Sequence, residues 1–147
     1  MDALQANAAA AAALEAAPAA VRDSLPRVFA GSDFVAQSCA RDATLLASLV
    51  ERADLQRTLA PTEFAARAPT LSRDAHANIP EPDALSELRR WRRHEIVRIA
   101  WRDLAGWADL PETLSDLSAF ADAAINVALR YARLSLVSRY GEPRSTD

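Results

Sequence analysis

The run from Leu88 to Leu104 constrains the fold most, because it combines six arginines and two tryptophans with aliphatic residues and contains neither glycine nor proline. Such a run predicts one continuous helix. At about 100° per residue, the apolar side chains in and beside this run lie on nearly every side of the helix. They are Leu85, Leu88, Ile96, Val97, Ile99, Trp101, Leu104 and Trp107. A helix that is apolar on most sides is buried on most sides.

The arginines of this helix must therefore reach solvent or pair with carboxylates, because an unpaired buried charge is costly. Glu87 and Glu95 each lie three residues before an arginine, and Asp116 and Asp122 on the following helix are further acceptors. The alternative is a phosphate or nucleic-acid contact supported by tryptophan stacking. The net charge of −3 gives no general attraction to nucleic acid and favours the ion-paired interpretation. The candidates for a structural or partner-contact role are Arg89, Arg90, Arg92, Arg93, Arg98, Trp101 and Arg102.

The alanine and glycine content predicts an all-α fold. The chain has 34 alanines and 3 glycines, and alanine is the best helix former but a poor strand residue. We expect a long antiparallel helical hairpin, at about 83–107 and 111–140, packed with shorter N-terminal helices. We also expect an alanine-rich, frayed segment at 1–17 and a single helical domain at 18–147, which contains a proline-rich connector at 58–82.

Polar residues at capping positions predict where several helices begin. Ser32 follows Gly31 and can accept from the amides of the next turn, and Asp42 is placed in the same way before a leucine-rich segment. Asp109 stands three residues before Glu112, at the spacing of a capping box.

The last helix carries a stripe of small and apolar residues at helical spacing. Its small members would let another helix approach closely, so the stripe predicts the face on which this helix packs. Gly141 is expected to end the helix. The stripe consists of Leu114, Leu117, Ala121, Ala124, Ile125, Ala128 and Ala132.

No catalytic, cofactor-binding or metal-binding residue is expected in this chain. It contains no lysine, which excludes a phosphate-loop lysine or a Schiff-base lysine. Gly31-Ser32 is not followed by two carboxylates at the Asp-x-Asp spacing with which nucleotidyltransferases hold magnesium. His76 and His94 have no second ligand at metal-binding spacing. Cys39 lies in an apolar helical pattern and is expected to be a core residue.

The cysteine content and the hydropathy pattern bear on location. A single cysteine cannot form an intrachain disulfide, which is typical of the reducing cytoplasm. No apolar run approaches the roughly 20 residues that span a bilayer. We therefore expect a cytoplasmic protein without a membrane partner.

Four segments resemble the bifunctional glutamine synthetase adenylyltransferase/adenylyl-removing enzymes, in the order in which that family has them. The arginine-rich run is the most specific of the four. The others are Phe29 to Val35, with its Ser-Asp-Phe-Val, then Leu110 to Ala124, and Arg139 to Pro143, which resembles an aromatic-Gly-x-Pro stop. The resemblance covers roughly residues 25–144.

The resemblance implies an enzyme with two nucleotidyltransferase halves. One half transfers AMP from ATP to a tyrosine of glutamine synthetase, and the N-terminal half removes it by phosphorolysis, with Mg²⁺ required. The signal protein PII and glutamine set the balance. The family's catalytic motif, a Gly-Gly turn followed by Ser-Asp-x-Asp, lies beyond the Tyr-Gly-x-Pro stop. The resemblance therefore implies that this chain is a helical N-terminal segment of the removing half, truncated before the catalytic core and inactive alone, whose partners include the remainder of the parent chain.

A function of a different class stays open. The arginine helix is also consistent with a stand-alone helical interaction module that binds an acidic or phosphorylated partner. The reading frame after Asp147 would separate the two, since the catalytic motif should follow shortly in the enzyme.

Overall fold

The computed structural model describes residues 3–72 and 78–143, so the expectation for His76 and part of the expected connector lie outside the described residues. The described residues confirm the all-α prediction, since they contain helices and one isolated bridge between Ser72 and Asn78. The helices are α1 (Ala3–Ala16), α2 (Ala19–Gly31), α3 (Asp33–Arg41), α4 (Ala43–Glu51), α5 (Pro61–Ala66), α6 (Glu81–Ala105) and α7 (Leu110–Tyr140).

The chain divides into two compact units, and both long helices contribute to each of them. The first unit contains residues 1–59 and 93–117, and the second contains residues 60–92 and 118–147. Among the described residues, no helix combines the length and the apolar character needed to cross a bilayer.

The first unit has a core in which the short N-terminal helices pack on the C-terminal half of α6. Val97 and Trp101 of α6 are buried together with residues of α2, α3 and α4. Gly31, at the end of α2, lies so close to α6 that an added Cβ would be 3.0 Å from Leu104 Cδ2. The arginine-rich helix is therefore surrounded on several sides, as its apolar wheel predicts. The other buried core members are Ala17, Val21, Val28, Val35, Cys39, Leu45, Leu46, Leu49 and Leu55.

The second unit is smaller and packs the first half of α6 on the long remainder of α7. Leu71, Ala84 and Val127 form its buried cluster. The rings of Trp91 and Phe120 lie 5.0 Å apart between centroids. In each unit, the contacts of α6 with α7 move toward the start of α7 as α6 advances. In the first unit, Arg98 contacts Asp116 and Arg102 contacts Glu112. This order confirms the predicted antiparallel hairpin.

The predicted caps are present. The Ser32 hydroxyl accepts from the Val35 amide at 3.3 Å. Asp42 Oδ1 accepts from the amide of Thr44 at 3.1 Å and from that of Leu45 at 3.3 Å. These bonds satisfy amides that have no partner inside their own helix.

The ends of the hairpin helices also follow the sequence signals. Asp109 Oδ1 accepts from the Glu112 amide at 2.8 Å. Gly106 and Gly141, which follow α6 and α7, have φ angles of +75° and +81°. Glycine adopts this left-handed conformation without steric cost, which explains why both helices end there.

The predicted packing face of α7 is wrong. Leu114, Leu117 and Ile125 of the expected stripe are exposed, as are its alanines at 121, 128 and 132. The buried face, at Asp116, Phe120, Ala123 and Val127, is centred roughly 120° around the helix from this stripe. Both sides of α7 have helical apolar spacing, and the sequence pattern does not show which of them meets α6.

Cys39 is a buried core residue, as expected. It is 4% exposed, and burial raises the pKa of its thiol from 9.0 to about 11, with a further contribution from the charge of Asp42. Because the folded state holds the proton more tightly than the unfolded chain, the thiol favours folding fully below pH 9. This contribution is lost as the pH rises from 9 to 11.

We predict that Cys39→Ala makes the free energy of unfolding less dependent on pH in the alkaline range. Between pH 9 and 11 the wild type should lose about 2 kcal/mol more than the variant, since the pKa of the thiol differs by about two units between the two states. Urea unfolding at several pH values measures this difference. Parallel pH profiles of the two proteins would contradict the prediction.

Candidate functional site: the arginine-rich helix

Arg98 lies at the centre of the first unit and is completely buried. Its guanidinium Nη1 donates to Asp116 Oδ2 of α7 at 2.9 Å. Its Nε donates to the carbonyl of Asp54 at 3.1 Å, and its Nη2 donates to that of Arg57 at 2.6 Å. One side chain thus joins α6, the segment after α4 and the start of α7.

The electrostatics of Arg98 reflect this burial. Desolvation lowers the pKa of the Arg98 guanidinium from its ordinary value, and the nearby charge of Arg102 acts in the same direction. The hydrogen bond and charge of Asp116, and the charge of buried Glu95, act the other way. The carboxylates therefore hold a cation in a place from which burial would otherwise exclude it.

Arg102, one helical turn later, repeats the arrangement. Its Nη1 donates to the carbonyl of Leu55 at 2.9 Å, and its Nη2 lies 2.6 Å from Glu112 Oε1. Contacts of Nη2 with Thr58 Oγ1 and with the Trp107 carbonyl, both at 3.3 Å, complete its surroundings. The planar guanidinium can serve several acceptors at once because its five N–H groups are fixed in a fork.

Trp101 lies between these two arginines in the sequence, and its side chain is part of the apolar core. It is completely buried, and its ring meets that of Phe29 edge-on, with centroids 5.8 Å apart. Its Nε1 donates to Ser24 Oγ at 2.9 Å. A buried indole with its N–H satisfied is not available to stack on a ligand, so Trp101 holds α2 against α6.

The remaining four arginines of the helix are exposed. Arg89, Arg90 and Arg92 lie in the second unit, and Arg93 is the first residue of α6 in the first unit. Arg90 pairs with Glu87, as the i, i+3 spacing predicts. The structure thus separates the seven candidate residues into a buried group, Arg98, Trp101 and Arg102, and an exposed group that a partner could reach.

The buried arginines donate to acceptors on the segment after α4, and the sequence does not reveal these acceptors. These are backbone carbonyls of Asp54, Leu55 and Arg57, and every residue carries such a group. Glu112, which the sequence places at the cap of α7, also binds Arg102. Of the two acceptors expected on α7, Asp116 binds Arg98, whereas Asp122 is exposed.

The two carboxylates of α7 that bind the buried arginines do not fit a magnesium site. Asp116 and Glu112 are each bound to a guanidinium, which would repel a divalent cation. In the described ranges, no group of three or more histidine, cysteine, aspartate or glutamate residues is arranged to hold a metal ion. The geometry is that of an ion-paired scaffold, in which Asp116 and Glu112 already have cationic partners.

Comparison with known proteins identifies the family. Residues 22–147 match the model of the glutamate-ammonia ligase adenylyltransferase family. The chain belongs to this family. It is similar to the bifunctional glutamine synthetase adenylyltransferase/adenylyl-removing enzyme of Thioalkalivibrio sulfidiphilus, with 40% identity over 125 residues, and to that of Pseudomonas aeruginosa, with 39% identity over 137 residues.

The family members are much longer than the matched segment. The match covers 85% of this chain but 13% of the T. sulfidiphilus protein, and 93% of this chain but 14% of the P. aeruginosa protein. No solved structure matches the chain.

We predict that Arg98→Ala destabilises the protein strongly, because it leaves Asp116 buried without its guanidinium and removes two bonds to carbonyls. Breaking one member of a buried ion pair costs about 3–5 kcal/mol, which corresponds to a fall in melting temperature of roughly 10 °C for a domain of this size. Circular dichroism during thermal unfolding measures it.

Arg92→Ala is the matched control, since Arg92 is an exposed arginine on the same helix. Its free energy of unfolding should change by no more than about 0.5 kcal/mol. Equal effects of the two substitutions would contradict the structural role of Arg98.

Proposed function

We propose that this chain is a helical segment of an enzyme that attaches AMP to a tyrosine of glutamine synthetase and removes it by phosphorolysis. The observation that carries the proposal is the similarity of about 40% over 85% of the chain to a protein with those two activities in its name. The arginine-rich helix, which forms the ion-paired centre of the first unit, lies inside the matched region.

We further propose that this segment supports the reaction and does not carry it out. Nucleotidyl transfer requires carboxylates that hold magnesium at the phosphates. Asp116 and Glu112, which lie beside α6, are instead paired with Arg98 and Arg102. ATP, phosphate and Mg²⁺ would then bind to parts of the family polypeptide outside the matched segment, in the cytoplasm.

The exposed arginines of the second unit suit a contact with a protein partner. Arg89 and Arg92 lie three residues apart on one side of α6, with exposed Leu85 one turn before Arg89. Exposed cationic side chains around an apolar residue favour an acidic protein surface, and such charges mainly speed association. We propose that this face contacts glutamine synthetase, with the regulator PII as a second partner of the same enzyme.

The interaction-module alternative rests on the same exposed arginines. In that case the chain would bind an acidic or phosphorylated partner by itself, and adenylylation of glutamine synthetase would be unrelated to it. A reading frame after Asp147 that encodes a Gly-Gly turn and Ser-Asp-x-Asp favours the enzyme, and one without them favours the module.

We predict that the 147-residue chain releases no ADP from adenylylated glutamine synthetase in the presence of phosphate and magnesium. The reason is that Asp116 and Glu112 are paired with arginines, and the described residues hold no group of three or more acidic, histidine or cysteine side chains placed to bind a metal ion. The P. aeruginosa relative serves as the positive control in the same assay. ADP release by the chain above the enzyme-free background would contradict the supporting role.

We also predict that Arg89→Glu combined with Arg92→Glu weakens binding of the chain to glutamine synthetase by about tenfold or more at low salt, because like charges then face each other. Biolayer interferometry at two salt concentrations measures the association rate and the affinity.

The matched control reverses Arg41 and Arg52, two exposed arginines of the first unit. Its affinity should change less than about threefold, since it alters the net charge equally without touching the proposed face. Equal weakening by both double variants, or no binding of the wild type, would contradict the contact assignment.

A further inference from the structure

In the second unit, α7 has an outer apolar face that the described residues leave largely exposed, with Glu142 and Pro143 beside its C-terminal end. Ile125 is 63% exposed, Leu129 is 65% exposed and Tyr140 is 71% exposed. At about 100° per residue, the apolar side chains of this face fall within an arc of roughly 120° around the helix. The arc lies opposite the buried face at Phe120, Ala123 and Val127. The apolar residues of the outer face are Ala121, Ile125, Ala128, Leu129, Ala132, Leu136 and Tyr140, and the charged side chains of Asp122 and Arg139 fall in the same arc.

The shape of the outer face suits a helix. It is about 30 Å long, from the rise of about 1.5 Å per residue. Ala121, Ala128 and Ala132 form shallow positions beside the larger side chains of Ile125 and Leu129. Alternating large and small residues along a helix accept the ridges of a second helix at a short interaxial distance. A helix with an apolar face of its own therefore matches this surface.

We propose that the outer face of α7 is the docking surface for an apolar helix from the part of the family polypeptide that lies outside the matched segment. This proposal rests on membership of the family and on the exposed face, and it does not depend on the activity proposed above.

The length of the relatives argues for this occupant. The segment that this chain matches is 13% of the T. sulfidiphilus protein, so most of that polypeptide is available to cover the face. A helix tethered to the same chain competes at an effective concentration of about millimolar. It therefore gains the contact without a separate association step.

A second copy of this chain fits the face less well. A strip about 30 Å long and about 10 Å wide offers roughly 300 Å² on each partner, whereas a stable protein–protein interface buries about 800 Å² on each side. The strip is thus too small to hold two free chains together but adequate as one part of an intramolecular contact.

Thiol labelling can test whether the face becomes covered. Ala132→Cys places a thiol in the middle of the outer face, and Asn126→Cys places one on an exposed flank of the same helix. Each is made in this chain alone and in a chimera in which residues 22–147 replace the matched segment of the T. sulfidiphilus relative. Cys39 is buried, with its pKa raised to about 11, and serves as a slow internal reference.

In the isolated chain we expect both introduced thiols to react with a maleimide at similar rates. In the chimera the thiol introduced by Ala132→Cys should react at least about tenfold more slowly, while that introduced by Asn126→Cys should keep its rate. Equal rates at both positions in the chimera would overturn the proposal.

Two further measurements keep the test decisive. Protection of the Ala132→Cys thiol in the isolated chain that grows with protein concentration, together with a dimer in sedimentation, would assign the face to a second copy and overturn the proposal. If the chimera does not fold, the same pair of cysteines is placed at the aligned positions of the T. sulfidiphilus protein itself, where the same difference in rates is expected and equal rates overturn the proposal. Phosphorolysis is not measured, so the result is independent of the proposed activity.

Discussion

The first unit depends on two arginines that are buried one helical turn apart. Arg98 and Arg102 extend from α6 to the carbonyls after α4 and to Asp116 and Glu112 of α7. Neither cation could remain in a core without these acceptors. Neither arginine–carboxylate ion pair could form if the segments moved apart. The burial of charge thus makes the packing of α6 specific, because a shift of one residue would leave cations and carbonyls unpaired.

This commitment of charge also shapes the functional conclusion. A carboxylate that neutralises a buried guanidinium is a poor ligand for magnesium, and Asp116 and Glu112 are used in this way. The other arginines of the helix are accessible to solvent, and Arg89 and Arg92 lie on the surface of the second unit. One helix therefore supplies an internal scaffold in its second half and an accessible cationic surface in its first half.

The last helix, α7, has apolar residues at helical spacing on two of its faces. One face of α7 is buried through Phe120 and Val127, and the opposite face presents Ile125 and Leu129 to solvent. A helix that is apolar on two sides has the pattern of one placed between two neighbours. The structure supplies the first neighbour, α6, and the relatives, which are several times longer, offer the material for the second.

The sequence by itself determined the all-α class, the approximate ends of the two long helices and the caps at Ser32, Asp42 and Asp109, because propensity and capping act between residues that are close in the chain. It also supplied the family, through the arginine-rich run. Only the tertiary structure decided which arginines are buried and which face of α7 meets α6. Those outcomes depend on acceptors far away in sequence, such as the carbonyls of Asp54 and Leu55, and on a choice between two faces with the same helical spacing.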